Sequence, residues 1–137
     1  MKKLLEVKNL KKVFTKKDGS EHIAVNGISF DLYSGEIFSF LGPNGAGKST
    51  TINMLTTKLS PTDGEMILQG KSIEENPIFA KSKIGIVAQH NNLDRGLSAR
   101  ENLIYHGMYF GMDKKTASLR ADELLKDFGL YDWRNYF

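Results

Sequence analysis

Polar and apolar residues alternate along positions 4–10, with Leu5 and Val7 on one side and Glu6 and Lys8 on the other. That period of two is the mark of a half-buried strand. Lys16, Lys17, Asp18, Gly19 and Ser20 form a polar run built around Asp-Gly, which predicts a tight turn. A second strand is expected over 23–32, where Ile28, Phe30 and Leu32 alternate, and Ser34-Gly35 breaks it. Residues 36–41, EIFSFL, are almost wholly apolar, the pattern of a strand covered on both faces. A glycine-rich interruption follows, and 48–59 then reads as a helix with Ile52 and Leu55 on its apolar side, ended by Pro61 and the Thr62-Asp63-Gly64 turn. A short strand is expected at 65–68, closed by Gly70, and a short helix opening at Asn76-Pro77. Residues 84–88, IGIVA, read as another buried strand.

The last third predicts helices. Ser98 and Glu101 make the S-x-x-E capping pattern ahead of Leu103, Ile104 and Tyr105, and Gly111 is the stop. Asp113 caps a second helix running to Phe128, with Leu119, Leu124, Leu125 and Phe128 at helical spacing and Gly129 after it. Residues 130–137 show no period. Strands first, then strand–loop–helix, then helices, is an α/β domain with an attached helical part.

Composition narrows the function classes. The 137 residues suffice for one domain, and 40% hydrophobic with 26% charged residues is an ordinary globular mix. The net charge of +3 comes without a basic run, so no nucleic-acid partner is indicated. The absence of cysteine excludes disulfide scaffolds, thiolate zinc sites and thiol catalysis. No apolar stretch is long enough to cross a membrane, and the N-terminus lacks the apolar core of a signal peptide, so a cytoplasmic location is expected.

The chemical signal is Gly42-Pro43-Asn44-Gly45-Ala46-Gly47-Lys48-Ser49-Thr50, which fits G-x-x-x-x-G-K-[ST] between a predicted strand and a predicted helix. A triphosphate needs many donors at short range. Glycines let the backbone turn its N–H groups inward, and the helix start adds its unpaired N–H groups and dipole. Lys48 supplies a point charge for the β and γ phosphates, and the Ser49 hydroxyl is a hard oxygen ligand suited to Mg²⁺. Thr50 is placed to donate near the α phosphate.

This segment resembles the Walker A loop of the ATP-binding cassette (ABC) ATPases, and flanking segments resemble the same family in order and spacing. Leu10-Lys11-Lys12-Val13-Phe14 is similar to the segment carrying its adenine-stacking aromatic, here Phe14, and 24–35 (AVNGISFDLYSG) to the β stretch before Walker A. Residues 60–65 (SPTDGE) with Gly70, and 97–103 (LSARENL), match further family segments; IGIVAQHNNLD at 84–94 resembles the Q-loop, with Gln89 as its glutamine. The style, including YFGM at 109–112, is similar to cassettes that partner ABC-2-type exporters. The resemblance implies an α/β P-loop NTPase core of ABC type with an N-terminal antiparallel β part over 1–96 and the beginning of a helical subdomain over 97–137. It implies ATP and Mg²⁺ as ligands, contacted by Phe14, Ala24 and residues 42–50. Ser49 and Gln89 would meet the metal, and Gln89 would orient the attacking water. The implied partners are a second cassette and transmembrane permease subunits, at the inner face of the cell membrane.

Several family elements are missing from the sequence: LSGGQ, a Walker B strand ending in Asp-Glu, and a switch histidine. The one Asp-Glu pair, Asp122-Glu123, falls on a predicted helix. The chain therefore reads as the N-terminal half of a cassette, expected to hold nucleotide with little hydrolysis of its own and to self-associate through open strand edges. A soluble, non-transporting ABC ATPase remains an alternative, as, further off, does another P-loop NTPase. His22 and His106 lack metal-ligand spacing. The Lys11-Lys12 and Lys16-Lys17 pairs read as solvated surface. Met108, Tyr109, Phe110 and Met112 read as helix core or a partner-facing cluster.

Overall fold

The computed structural model describes residues 2–88 and 92–136. The chain divides into two compact units, Met1–Ile86 and Val87–Phe137. In the first, β1 (Lys3–Thr15) and β2 (Glu21–Tyr33) form a long hairpin; β3 (Asp63–Leu68) pairs antiparallel with the free side of β1, and β4 (Lys71–Ser72) with β3, giving the order β2-β1-β3-β4. The hairpin turn closes as its Asp-Gly predicts. Lys16 N–H donates to Ser20 O (2.8 Å), and Asp18 accepts from both the N–H and the hydroxyl of Ser20. Between them these two bonds hold the Asp18 carboxyl below its ordinary pKa. The strands are longer than their alternation predicts because bulges interrupt the period; one lies between Val7 and Leu10, where Asn9 takes φ 47. At that bulge β3 enters so closely that a Cβ on Gly64 would lie 2.5 Å from the Asn9 carbonyl oxygen.

Leu5, Val7 and Leu10 of β1 are buried with Val25, Met66 and Leu68 of the neighbouring strands, and Met54 of α1 (Lys48–Leu55) packs into the same core. This helix is shorter than the expected 48–59. It closes at Thr57, whose φ of 61 lets Thr57 N–H reach Met54 O (3.1 Å) and Lys58 N–H reach Asn53 O (2.9 Å). A β-branched residue in that region is strained, and the Thr57 hydroxyl is buried without a partner. The inward side of α1 is Thr51 with Met54, and Leu55 is half-buried against the core, whereas Ile52, expected inside, is exposed. A short α2 (Pro77–Lys83) starts at the expected proline and buries Ala80.

Residues 36–41 and 84–88, both expected to be buried strands, form no strand. The side chains of the first still alternate. Phe38 and Phe40 pack on Phe30 of β2, with ring centroids 5.1 and 5.3 Å away, while Ile37 and Leu41 are 95% and 92% exposed. An apolar run covered on one side only, with no described strand on its backbone groups, lacks what a parallel strand needs.

The second unit contains α3 (Ala99–Tyr109), α4 (Lys114–Asp127) and a 3₁₀ turn at Tyr131–Trp133. Ser98 and Glu101 form the predicted capping box: Ser98 N–H donates to Glu101 Oε2 (2.8 Å) and Glu101 N–H to Ser98 Oγ (3.3 Å). Asp113 caps α4 by accepting from Thr116 N–H (3.0 Å). Gly111 and Gly129 end the helices as expected. The buried stripe of α4 is Ala117, Ala121 and Leu125; of the expected apolar side Leu125 is buried and Leu124 half-buried, while Leu119 and Phe128 are exposed. Small residues win because α3 comes close: a Cβ on Gly107 would lie 3.3 Å from that of Ala117. Arg100 and Asp122 add a two-pronged ion pair between the helices, at 2.7 and 2.9 Å.

Candidate phosphate-binding site

The site grows from the start of α1. Gly47, at its N-cap, has φ 86, and a Cβ there would lie 2.3 Å from the Ala24 carbonyl oxygen and 3.2 Å from a Val25 methyl. Only glycine fits, so the loop is seated directly on β2. That contact brings Ala24, expected among the nucleotide contacts, against residues 42–50. Ala46 N–H donates to Pro43 O (3.3 Å), folding the loop on itself. Thr51 N–H makes the first helical bond, to Gly47 O (2.9 Å), so the N–H groups of Lys48, Ser49 and Thr50 belong to a first turn with no intrahelical acceptor. Such a turn favours an anion.

Lys48 Nζ donates to Gly42 O (2.6 Å) and Pro43 O (2.7 Å), so its charge sits over the loop it belongs to. Ser49 and Asn44 are exposed, as are Gly42, Pro43, Gly45 and Ala46. Gly45, Ala46, Gly47 and Lys48 face a groove of ≈ 400 Å³ whose other wall includes Ile23, Ala24 and Phe40. The donor set fits a polyphosphate: a side-chain ammonium, glycine backbone and an open helix start, with no carboxylate among residues 42–50. The Ser49 hydroxyl at the second helical position is a suitable oxygen for a divalent cation beside those phosphates.

Phe14 stands on β1 opposite His22 of β2, 39% exposed, and is not among the residues lining that groove. Gln89 lies outside the described residues. Asp122 and Glu123 are on α4 and are ion-paired with Arg100 and Arg120. His106 packs on Phe110 at 5.0 Å, and Met108, Tyr109, Phe110 and Met112 are exposed rather than core. Among the described residues no group of three or more His, Cys, Asp and Glu gathers as a metal cluster, and no helix is long and apolar enough to cross a membrane.

Two side chains that motif reading passed over organise the surroundings. Thr62 holds the Phe14 end of β1, accepting from Val13 N–H (3.0 Å) and donating its own N–H to Lys11 O (2.8 Å). Asn102 clamps the loop before α3. Its amide lies within 2.9 Å of Asp94 O and 3.1 Å of Leu97 O, and its oxygen accepts from Asp94 N–H. The only sequence signal for either is its place inside a family-like segment, SPT and ENL.

A sequence profile described as ABC transporter matches residues 25–136. Nod factor export ATP-binding protein I of Burkholderia lata is 38% identical over 122 residues, 89% of this chain and 38% of that protein. Linearmycin resistance ATP-binding protein LnrL of Bacillus subtilis is 42% identical over 127 residues, 93% of this chain and 39% of that protein. Thus the chain spans well under half the length of these two relatives. A solved dimeric bacterial ABC transporter cassette superimposes with a TM-score of 0.85 at 27% identity, covering 97% of this chain and 61% of that one. A related dimeric structure, in a post-hydrolysis state with ADP and Pi, gives 0.83. With the phosphate-type loop, the antiparallel sheet and these matches in agreement, the chain belongs to the ABC transporter family.

Proposed function

We propose that this chain forms the nucleotide-holding part of an ABC transporter ATPase of the exporter type. The observation that carries the proposal is the seating of Gly47 on the Ala24 carbonyl, which fixes the loop at the start of α1 with Lys48 over it. The phosphates of ATP would lie in the loop, held by backbone N–H groups of 45–50 and by Lys48. For this Lys48 exchanges its bonds to Gly42 O and Pro43 O, wholly or in part, for bonds to phosphate oxygens. Ser49 would hold Mg²⁺, and Thr50 would donate near the α phosphate. Bound Mg²⁺ contributes positive charge to the phosphate oxygens, and the rest is positioning by the chain. Phe14 offers a π face to the adenine ring, and Gln89 is the candidate for the metal and the attacking water.

The exporter reading is supported by the names of the two relatives, one in Nod factor export and one in linearmycin resistance. A second cassette and transmembrane permease subunits are the proposed partners, at the inner face of the cell membrane. Cargo choice would rest with the permease. Asp122 is ion-paired with Arg100 of α3 and Glu123 with Arg120 of α4, and the sequence holds no other Asp-Glu for a catalytic carboxylate. Binding with little turnover is therefore expected of the 137 residues alone.

Calorimetric titration with ATP and Mg²⁺ tests the reading. Binding in the millimolar range or tighter is expected, weakened at least about tenfold in Lys48→Ala, the loss of one charge-assisted contact to phosphate. Equal affinity of the wild type and Lys48→Ala would sink the phosphate-loop assignment. Turnover near that of an intact cassette would sink the binding-only expectation.

A further inference from the structure

Lys12, half-buried on β1, is not the solvated surface residue its sequence neighbourhood suggests. Its Nζ donates to Ser60 O at 2.7 Å and at the same time lies 5.3 Å from the centroid of the Phe14 ring. Lys12 and Phe14 are two residues apart on one strand and so share a face. Just beside them Thr62 ties Val13 and Lys11 to the same 60–62 loop, the loop that leads away from α1. The aromatic end of β1 is thus fastened, by one ammonium and one threonine, to the segment that continues the phosphate-loop helix.

An exposed Phe on a strand end has free choice of side-chain angle, and a ring that must present a flat face loses that freedom on binding. A cation tethered beside it removes part of that freedom in advance. We propose that Lys12 is a positioning residue for the base of the nucleotide. Anchored by Ser60 O, it fixes the plane of the Phe14 ring and occupies one side of it, leaving the remaining surface to a purine. Thr62 sets the height of the strand at the same point. The proposal rests on the reading of Phe14 as the base platform and adds what holds that platform.

The test titrates the chain, with Mg²⁺, against ATP and against inorganic tripolyphosphate, which has the phosphates and no base. Phe14→Ala should weaken ATP and leave tripolyphosphate unchanged. Lys12→Met keeps the alkyl stem and removes the cation; it should weaken ATP roughly two- to five-fold, the range of an exposed cation–aromatic contact, with tripolyphosphate unchanged. Lys12→Arg should restore ATP binding. Unaltered tripolyphosphate affinity also shows that the variants keep the loop folded. Equal weakening of both ligands by Lys12→Met, or no effect on either, overturns the positioning role while Phe14 keeps its own. No effect of Phe14→Ala on ATP overturns the base platform and this inference together. If neither ligand binds the wild type, the phosphate-loop reading falls and takes both with it.

Discussion

The sheet of β1, β2 and β3 and the two apolar segments at 36–41 and 84–88 make an instructive contrast. The segments are the more hydrophobic stretches, yet the sheet is the part that forms. β1 has fewer apolar residues per length, but its neighbours are supplied by one short turn and by β3, and it buries Leu5, Val7 and Leu10. Residues 36–41 have an aromatic cluster on one side and exposed Ile37 and Leu41 on the other. Hydrophobicity supplies a reason to be buried; a strand also needs partners for its N–H and C=O groups. In the larger solved cassettes this chain covers only part of the structure, 61% in one case.

The largest test of that contrast compares two leucines. Leu10→Ala empties a site with 0% exposure and should cost about 2–5 kcal/mol by denaturant unfolding, the range for a buried Leu that leaves a cavity. Leu41→Ala should cost less than about 0.5 kcal/mol, since Leu41 is 92% exposed, and a comparable loss at both positions would erase the distinction. The exposed side should also drive self-association. Ile37→Ser with Leu41→Ser is expected to lower the apparent mass in light scattering without loss of the sheet; a wild type that is already monodisperse and monomeric counts against this.

Smaller effects probe how the helices are closed. Ser98→Ala removes the hydroxyl that accepts from Glu101 N–H, leaves its own N–H donating to the Glu101 carboxylate, and should destabilise the helical unit by about 1 kcal/mol. Thr57→Gly should stabilise the sheet-containing unit by about 1 kcal/mol, because glycine adopts positive φ freely and the unpartnered hydroxyl disappears. A lower denaturation midpoint for Thr57→Gly would refute the strain.

Acid should weaken the helical unit. The Ser98 hydroxyl and N–H hold Glu101 below its ordinary pKa, the Thr116 hydroxyl and N–H do so for Asp113, and the Arg100 guanidinium for Asp122. A carboxylate depressed in the folded state adds stability that is present above its unfolded pKa and is lost as pH falls through the folded value. Helicity should therefore hold down to about pH 4, the unfolded carboxylate range, and decline below it. A helical signal that falls first between neutrality and pH 5 would contradict the assignment.

Much of this was legible in the residues themselves. The hairpin turn, the capping box at Ser98, the cap at Asp113, both glycine helix stops and the loop at 42–50 are local: a few adjacent residues carry the whole instruction. The inward sides of α1 and α4 are less legible there, because a side chain faces the core only where a neighbour leaves room. Gly107 against Ala117 decided that for α4, whose buried residues Ala117, Ala121 and Leu125 recur every four positions but include two alanines, a weak apolar signal.

The phosphate-type loop, the helix boundaries set by caps, and the family are all written locally in the chain, because each rests on residue types at short fixed spacing. Tertiary structure alone decided that Gly47 sits on the Ala24 carbonyl, that Thr57 takes a strained turn, that Lys12 and Thr62 fasten the Phe14 end of β1, and that two apolar runs remain outside the sheet. Those are contacts between segments distant along the chain, and whether such contacts form depends on which partner surfaces are present, not on the pattern of either segment.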